Sequence, residues 1–370
     1  MRLALAHEYL SVHGGAERVV DVFHEMWPQA PVHTFFHDAR RYGPLPGWDL
    51  RTSYLQGLPI GGGIHRVLLP LYPSAAARLR VGDGTDVLLS STSAFIKGIA
   101  LPESTVHVAY CHSPTRYLWD QTDRYIEDEV PAPLHGVVRA LFARLREVDL
   151  RAAARVDRWI ANSATVRDRI ARYYGAASEV VHPPVDVARY RPAERGDFWL
   201  FAPGRLVAYK RGDIAVDVFD RIGMRLIVLG DGRERRALER RAKDNVTFAG
   251  RVDDDTVREL LGAARGLIFP GEDDFGMACV EALASGTPVV ALGRGGATEI
   301  VRDKIDGVLV PTADASAFED AVLWVERSAL DREELRRRAA LYDRPRFEEQ
   351  IRATIDDAYA RGRVPRAATA

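Results

Sequence analysis

Cysteine is almost absent: among 370 residues only Cys111 and Cys279 occur, far apart and without metal-ligand partners at a familiar spacing. Such a pair predicts neither a disulfide framework nor a zinc site, and it suits a reducing compartment. Nowhere do about 18 apolar residues follow one another, so no spanning helix is expected. The opening residues, Met1-Arg-Leu-Ala-Leu-Ala-His7, turn polar after a few apolar positions and read as a strand rather than a signal peptide. Low-complexity tracts are lacking as well. Charge nearly cancels, at a formal net of -1, which speaks against a general nucleic-acid binder. The expectation is a cytoplasmic protein, free to touch the inner face of the plasma membrane peripherally.

What is present is an ordinary globular composition, with 47% hydrophobic and 28% charged residues. The length exceeds one ordinary core and suits two domains of roughly 150 to 200 residues. Short apolar runs alternate with longer helical patterns. In the first half these are Asp86–Ser90, Val106–Tyr110 and Arg158–Asn162. A second series comprises Phe198–Ala202, Arg225–Leu229, Val246–Phe248, Gly266–Phe269, Pro288–Leu292 and Gly307–Val310. Each reads as a buried strand, and the alternation predicts an α/β chain of parallel sheets with crossover helices. Between the two series lies the proline-rich stretch His182–Pro192, which can neither donate to a sheet nor continue a helix. The predicted organisation is an N-terminal domain over 1–185, a second over 193–345, and a C-terminal helix from 346, the pattern being helical after about 315.

The segment Phe269-Pro-Gly-Glu-Asp-Asp-Phe-Gly-Met-Ala-Cys-Val-Glu-Ala-Leu-Ala-Ser-Gly286 joins a predicted strand to a predicted helix. It sits at the carboxyl edge of a parallel sheet, where ligands bind. Gly276 lets the backbone approach a ligand, and the free N–H groups of a helix beginning near Met277 attract negative charge. Glu281, one turn on, can accept hydrogen bonds from ribose or sugar hydroxyls. Gly286 suits the helix end. The plainer alternative has Asp273 and Asp274 capping the helix and Glu281 on a solvated face.

This segment resembles the acid-x7-Glu element of retaining glycosyltransferase family 4, of GT-B fold. Ala202-Pro-Gly-Arg-Leu-Val-Ala-Tyr-Lys-Arg-Gly212, Leu229-Gly-Asp-Gly232, Phe248-Ala-Gly-Arg-Val252 and Gly293-Arg-Gly-Gly-Ala-Thr-Glu299 resemble further motifs in the family's order. So do His13-Gly-Gly-Ala-Glu-Arg18, Tyr110–Trp119 and Ile160–Ala164, particularly as found in members that build bacterial surface polysaccharides. The likeness covers about residues 1 to 315.

The resemblance implies two Rossmann-like domains whose parallel sheets face a central cleft, the first gathering the acceptor and the second binding the nucleotide sugar. It implies also that the C-terminal helix crosses back to the first domain and ends in a disordered tail. Arg205 and Lys210 would hold the donor pyrophosphate and stabilise the departing diphosphate, a task for cations that needs no metal. Lys210 is expected at an exposed position, so that its removal costs charge rather than packing. Gly204 belongs to the same turn. Arg251 and Val252 would frame the base, Glu281 would bind the ribose, and Asp273, Phe275, Gly276 and Met277 would surround the donor sugar. The first acid of the element is usually glutamate; here it is Asp273, with Glu272 one place earlier, and either carboxylate could serve. Gly14 and Gly15 would approach phosphate or sugar closely, or merely form a tight turn. His112 would be the cleft histidine that touches the donor sugar, although a lone histidine is often structural.

Paired carboxylates of the kind used by hydrolases that form a glycosyl-enzyme are not recognisable. The family's retention of configuration implies front-face attack, with the leaving phosphate helping to deprotonate the acceptor. The protein would then contribute leaving-group stabilisation and acceptor orientation. The cluster Asp253-Asp-Asp255 suits a helix cap better than a metal site. The stretch Ile64–Pro73 mixes a basic pair with apolar residues and two prolines. Residues 135 to 158 carry six arginines against three acids. Together they could bring the enzyme to a lipid-linked, anionic acceptor, or be a solvated helix face beside ordinary core. The expected activity is hexose transfer, foremost mannose from GDP-mannose, to a lipid-linked glycan in surface polysaccharide assembly. Cofactors and metals are not expected, the nucleotide sugar being a substrate. The alternatives are a UDP-sugar donor (glucose, galactose or N-acetylhexosamine), a GT-B epimerase, and a nucleotide-sugar-binding protein without catalysis.

Overall fold

The computed structural model describes residues 1–58 and 68–363. They form two compact units, Met1–Val181 with the chain from Glu348 onward, and His182–Phe347. The strands of the first unit are β1 (Leu3–His7), β2 (Val32–Thr34), β3 (Leu50–Thr52), β4 (Val87–Thr92), β5 (Val106–Cys111), β6 (Arg158–Ala161) and β7 (Ser178–Val180). Its helices are α1 (Gly15–Met26), α2 (Tyr72–Arg78), α3 (Thr122–Glu129), α4 (His135–Ala153) and α5 (Ala164–Tyr174). The sheet runs β3-β2-β1-β4-β5-β6-β7, with every pair parallel.

The second unit holds β8 (Phe198–Arg205), β9 (Arg225–Asp231), β10 (Val246–Gly250), β11 (Leu267–Phe269), β12 (Val289–Leu292) and β13 (Gly307–Val310). Around them lie α6 (Gly212–Ile222), α7 (Arg235–Arg241), α8 (Asp254–Ala263), α9 (Met277–Ala284), α10 (Ala297–Ile300), α11 (Ala315–Arg327) and α12 (Arg332–Ala339). The last helix, α13 (Arg344–Arg361), belongs to the first unit from Glu348 onward. This sheet, β10-β9-β8-β11-β12-β13, is also parallel throughout. The tail expected to be disordered after this helix falls beyond Arg363, outside the described residues.

Helices cover both faces of such sheets, so the central strands are buried end to end and read as unbroken apolar runs. Thus β4, β5 and β12 are buried at every residue. The short strands β2, β3 and β7 carry sequences such as Leu-Arg-Thr and Ser-Glu-Val, which have no apolar run to betray them. Helix starts follow local chemistry. Ser163 caps α5 by accepting from the Val166 amide at 3.1 Å, and Asp253 caps α8 from the Thr256 amide at 2.8 Å.

Inside the first unit a buried polar hub joins α4, α5, the turn bearing Lys97 and the segment after β5. The Asp149 carboxylate, on α4, accepts from Lys97 Nζ at 2.5 Å, Thr115 Oγ1 at 3.0 Å, Trp119 Nε1 at 2.9 Å and, from α5, Tyr174 OH at 2.8 Å. Lys97 is 2% and Asp149 0% exposed, so each charge depends on the other. The arginine-rich stretch is only partly a free basic face. Arg146 donates to the Leu118 carbonyl and Thr122 Oγ1, Arg155 to the Ile99 carbonyl, and Arg158 to the Asp157 carbonyl, while Arg139 pairs with Asp123. Of the segment Ile64–Pro73, residues 64–67 lie outside the described residues. In the remainder Leu69 and Tyr72 are buried rather than presented to solvent, and only Leu71 is exposed among the large apolar groups. Among the described residues no helix is long and apolar enough to cross a membrane.

Both sheets reverse direction beside their first strand. β1 lies between β2 and β4, and β8 lies between β9 and β11. At such a switch point the two neighbouring connections leave in opposite directions, opening a crevice at the carboxyl ends of the strands.

Candidate functional site

The switch point of the second unit gathers the motif residues that follow β8 and β11, while Arg251 and Val252 follow the edge strand β10. β8 ends in Gly204 and Arg205, and a helical turn at Ala208–Lys210 follows. β11 ends at Phe269 and leads through Gly271–Gly276 into α9. The two loops touch: a Cβ on Gly271 would lie 2.7 Å from the Lys210 Cα. On the other flank, the loop after β12 closes against the same segment. The Gly296 amide donates to the Asp273 carbonyl at 3.0 Å, and side chains at Gly295 or Gly296 would strike the backbone of Asp273 or Phe275. Glycine is needed there because three loops meet within backbone contact.

Lys210 is not the exposed cation expected from sequence. Its side chain is 12% exposed and its ammonium donates to Asp273 Oδ2. Burial pulls the lysine pKa down, but attraction from Asp273 and Tyr209 and the hydrogen bond outweigh it, so the ammonium is held above its ordinary value. The other Asp273 oxygen, Oδ1, is buried without a partner among the described residues. Arg205 is exposed at the strand end. Asp273 is thus joined to Lys210, while Glu272 stays partly exposed beside it.

Gly276 has φ +98°, which a residue with Cβ rarely adopts, and it turns the chain into α9. Phe275 is 3% exposed and Met277 packs partly against the core. Glu281 is only 8% exposed, so it is no solvated face residue. Gly286, with φ +68°, follows the helix end. Arg251 is exposed just beyond β10, with Val252 half-buried against the core.

The first unit brings Gly14, Gly15 and His112 to its own switch point. Gly14 precedes α1 and Gly15 is its first residue. A Cβ on Gly14 would lie 2.8 Å from Glu17 Oε2, so the glycine makes room for that carboxylate. His112 follows β5, donating its amide to the Thr92 carbonyl at 2.9 Å and accepting on its own carbonyl from Asn162 Nδ2 at 3.0 Å. Its ring Nε2 lies 2.7 Å from Ser91 Oγ, and Ser91 Oγ lies 3.1 Å from Nδ1 of His7. Nε2 of His7 faces Glu17 Oε1 at 3.7 Å. Burial, helped by His7 and opposed by Glu17, pushes the His112 pKa down to about 3, so the imidazole is neutral near pH 7. Burial works against the charge of Glu17, but the hydrogen bond and attraction of His7, its own backbone and His112 hold its carboxyl below the usual range.

His7, Glu17 and Ser91 carry no role in the sequence reading, yet they surround His112. The signal was faint: Ser90-Ser91-Thr92 is a polar end on the wholly buried strand β4.

Known proteins resemble both units. The family described as "Glycosyltransferase Family 4" matches residues 13–189, and that described as "Glycosyl transferases group 1" matches residues 197–327. The O-antigen chain mannosyltransferase C of Escherichia coli is 29% identical over 192 residues, covering 49% of this chain and 50% of its own. A D-inositol 3-phosphate glycosyltransferase of Acidothermus cellulolyticus is 31% identical over 231 residues, covering 53% and 49%. The chain thus spans about half the length of these curated relatives. Among solved structures, HepE of Anabaena in complex with UDP and glucose aligns with a TM-score of 0.69 at 18% identity, covering 96% of this chain and 99% of that one. The sucrose-phosphate synthase of Thermosynechococcus elongatus aligns with a TM-score of 0.73 at 16% identity, covering 98% and 100%. At such identities the structural likeness speaks for the fold. With two parallel-sheet α/β domains of GT-B type and a matched domain in each half, this chain belongs to the glycosyltransferases of family 4.

Proposed function

We propose that the chain is a retaining hexosyltransferase that uses a nucleotide sugar as donor, GDP-mannose in the first place, and a lipid-linked glycan of surface polysaccharide assembly as acceptor. The carrying observation is the switch point of the second unit, where Arg205, Lys210 and the amide end of α9 are brought together beside Asp273. Two cations and free helix N–H groups suit a diphosphate without further help. Pairing with Asp273 holds the Lys210 ammonium in place before a donor arrives, and the charge developing on a departing diphosphate meets a preset cation. In this reading Gly204 belongs to the diphosphate turn, Arg251 and Val252 frame the base, and Glu281 takes the ribose. Asp273 with Phe275, Gly276 and Met277 lines the donor sugar. Of the first unit's residues, Gly14 and Gly15 suit a close backbone approach to a phosphate or sugar, and His112 suits contact with a sugar hydroxyl. No cofactor takes part in this scheme.

Mannose is supported by the name of the Escherichia coli relative. A UDP-sugar is the second reading, supported by the fold shared with HepE, whose structure holds UDP and glucose. For a peripheral place at the cytoplasmic membrane face, the support is α4 and its approach, where Leu134, Val137 and Leu150 are exposed on a helix that also carries Arg144 and Arg151. Thermal shift with GDP, UDP and ADP tests the donor. A diphosphate that binds only the folded protein raises the melting temperature, and GDP should do so selectively. Selective stabilisation by UDP would transfer the proposal to a UDP-sugar, and no shift with any of the three would overturn it.

A further inference from the structure

Among the described residues a chain of polar side chains ends on His112, a proposed reacting-site residue. Glu17 on α1, His7 at the end of β1, Ser91 on β4 and His112 after β5 are linked at 3.7, 3.1 and 2.7 Å in succession. His7 and Ser91 are direct partners across the switch point of the sheet. His7 is 2% and Ser91 0% exposed, so water does not substitute for either. The second ring nitrogen of His112, Nδ1, has no hydrogen-bond partner among the described residues, although the residue is only half-buried.

We infer that Glu17, His7 and Ser91 are positioning residues that dictate which ring nitrogen of His112 carries its single proton, and hence the polarity His112 offers to a sugar hydroxyl. The rule follows from proton counting. A carboxylate facing Nε2 of His7 requires a proton on that nitrogen, because a lone pair would be repelled. If His7 is neutral, its Nδ1 bears a lone pair and accepts from the Ser91 hydroxyl. Ser91 Oγ then has no hydrogen left to give, and His112 Nε2 must donate to it. His112 Nδ1 is left as an acceptor. If His7 is cationic, its Nδ1–H is shared between Ser91 Oγ and the Ser91 carbonyl, at 3.1 and 3.3 Å. The Ser91 hydroxyl then donates to His112 Nε2, and His112 Nδ1 becomes a donor. A proton on His7 thus inverts the free face of a histidine that itself stays neutral.

The groups facing His7 are few. Glu17 comes from α1, Ser91 from β4 and His112 from the end of β5, while Thr34 is the register partner on β2. Asp21, further along α1, accepts from Tyr42 OH at 3.0 Å. Glu8 is turned to Thr92 Oγ1 and the amides of Ser93, Ala94 and Ile96. Among the described residues the linked side chains are these four, and Asp21 acts on Glu17 through its charge alone. The proton rule stands on this geometry alone; its consequence for a donor sugar rests on the transferase activity proposed above.

The test is two-bond proton–nitrogen correlation spectroscopy of the histidine rings in the full-length protein labelled with 15N-histidine, first without any nucleotide. The spectrum reports the protonation of His7 and the tautomer of His112 together. Neutral His7 with Nε2–H on His112, or cationic His7 with Nδ1–H on His112, supports the inference at any pH; either mismatched pair overturns it. In Ser91→Ala the preference should dissolve and both His112 nitrogens move to averaged positions, with Ser91→Thr restoring the wild-type pattern. An unchanged His112 tautomer in Ser91→Ala would also overturn it. Turnover with the diphosphate sugar chosen by thermal shift is measured second. A chain that turns over no donor but keeps the matched pair fails the transferase reading and not the proton rule.

Discussion

On the proposed reading Lys210 has two tasks, one in the fold and one at the diphosphate. Its ammonium neutralises Asp273, whose other oxygen is already buried without a partner among the described residues. Lys210→Ala should therefore lower turnover about a hundredfold, the scale of losing one electrostatic stabiliser. It should also cost about 1–3 kcal/mol of stability, the scale of an unpaired buried group. A double-mutant cycle separates the two effects. Lys210→Ala with Asp273→Ala should regain most of the stability in urea melts and none of the turnover. Recovery of activity in the double variant would remove Lys210 from the chemistry. The motifs placed Lys210 and Asp273 each after its own predicted strand, but not in each other's grasp, because a pair 63 positions apart is made by adjacency of β8 and β11.

Between elements, the second unit depends on loops that meet backbone to backbone. Gly296→Ala places a methyl against the main chain of Phe275, which cannot swing aside. A cost of about 1–3 kcal/mol is expected, the range for overpacking, together with weakened nucleotide binding in thermal shift. An unchanged melting temperature would show that the loop after β12 is free to move. In the first unit the corresponding join is Asp149, which ties α4 to α5, to the turn bearing Lys97 and to the segment after His112. Asp149→Ala leaves the Lys97 ammonium buried and uncompensated. It should destabilise by about 3–5 kcal/mol, while Lys97→Met with Asp149→Leu should recover much of that loss in the same denaturation assay. Apolar runs announced the long strands because burial on both faces demands them. They were silent about Asp149, a charged residue on an otherwise readable helix, whose partners come from outside that helix.

At the scale of the whole molecule, buried neutral histidines tie stability to pH. Burial, with Arg155, Arg363 and Lys97 nearby, pushes the His107 pKa down to about 3. Its Nε2 lies 2.8 Å from Ser90 Oγ, and its Nδ1 is buried without a partner among the described residues. His112 is lowered to a similar value. The folded pKa lies below the unfolded one, so between them the unfolded chain binds the extra proton. Stability is therefore fully present above about pH 6.5 and falls as pH drops toward 3, by about 1.4 kcal/mol per pH unit for each such group. Urea midpoints measured between about pH 6.5 and 5 should show this slope. His107→Gln should reduce it, and an identical slope in that variant would refute the assignment.

The amino-acid sequence by itself determined the α/β class, the approximate places of the long strands and the motifs that mark the family, because each of these is written in local chemistry. Apolar runs are required wherever a strand is covered on both faces, and glycines wherever a loop is crowded. Only the tertiary structure decided which motif residues hold one another. It paired Lys210 with Asp273, buried Glu281, tied several arginines of the basic stretch into the fold and set Glu17, His7 and Ser91 behind His112. The physical reason is that such contacts arise from strand order, which brings distant positions together at the two switch points, and strand order leaves no periodic trace along the chain.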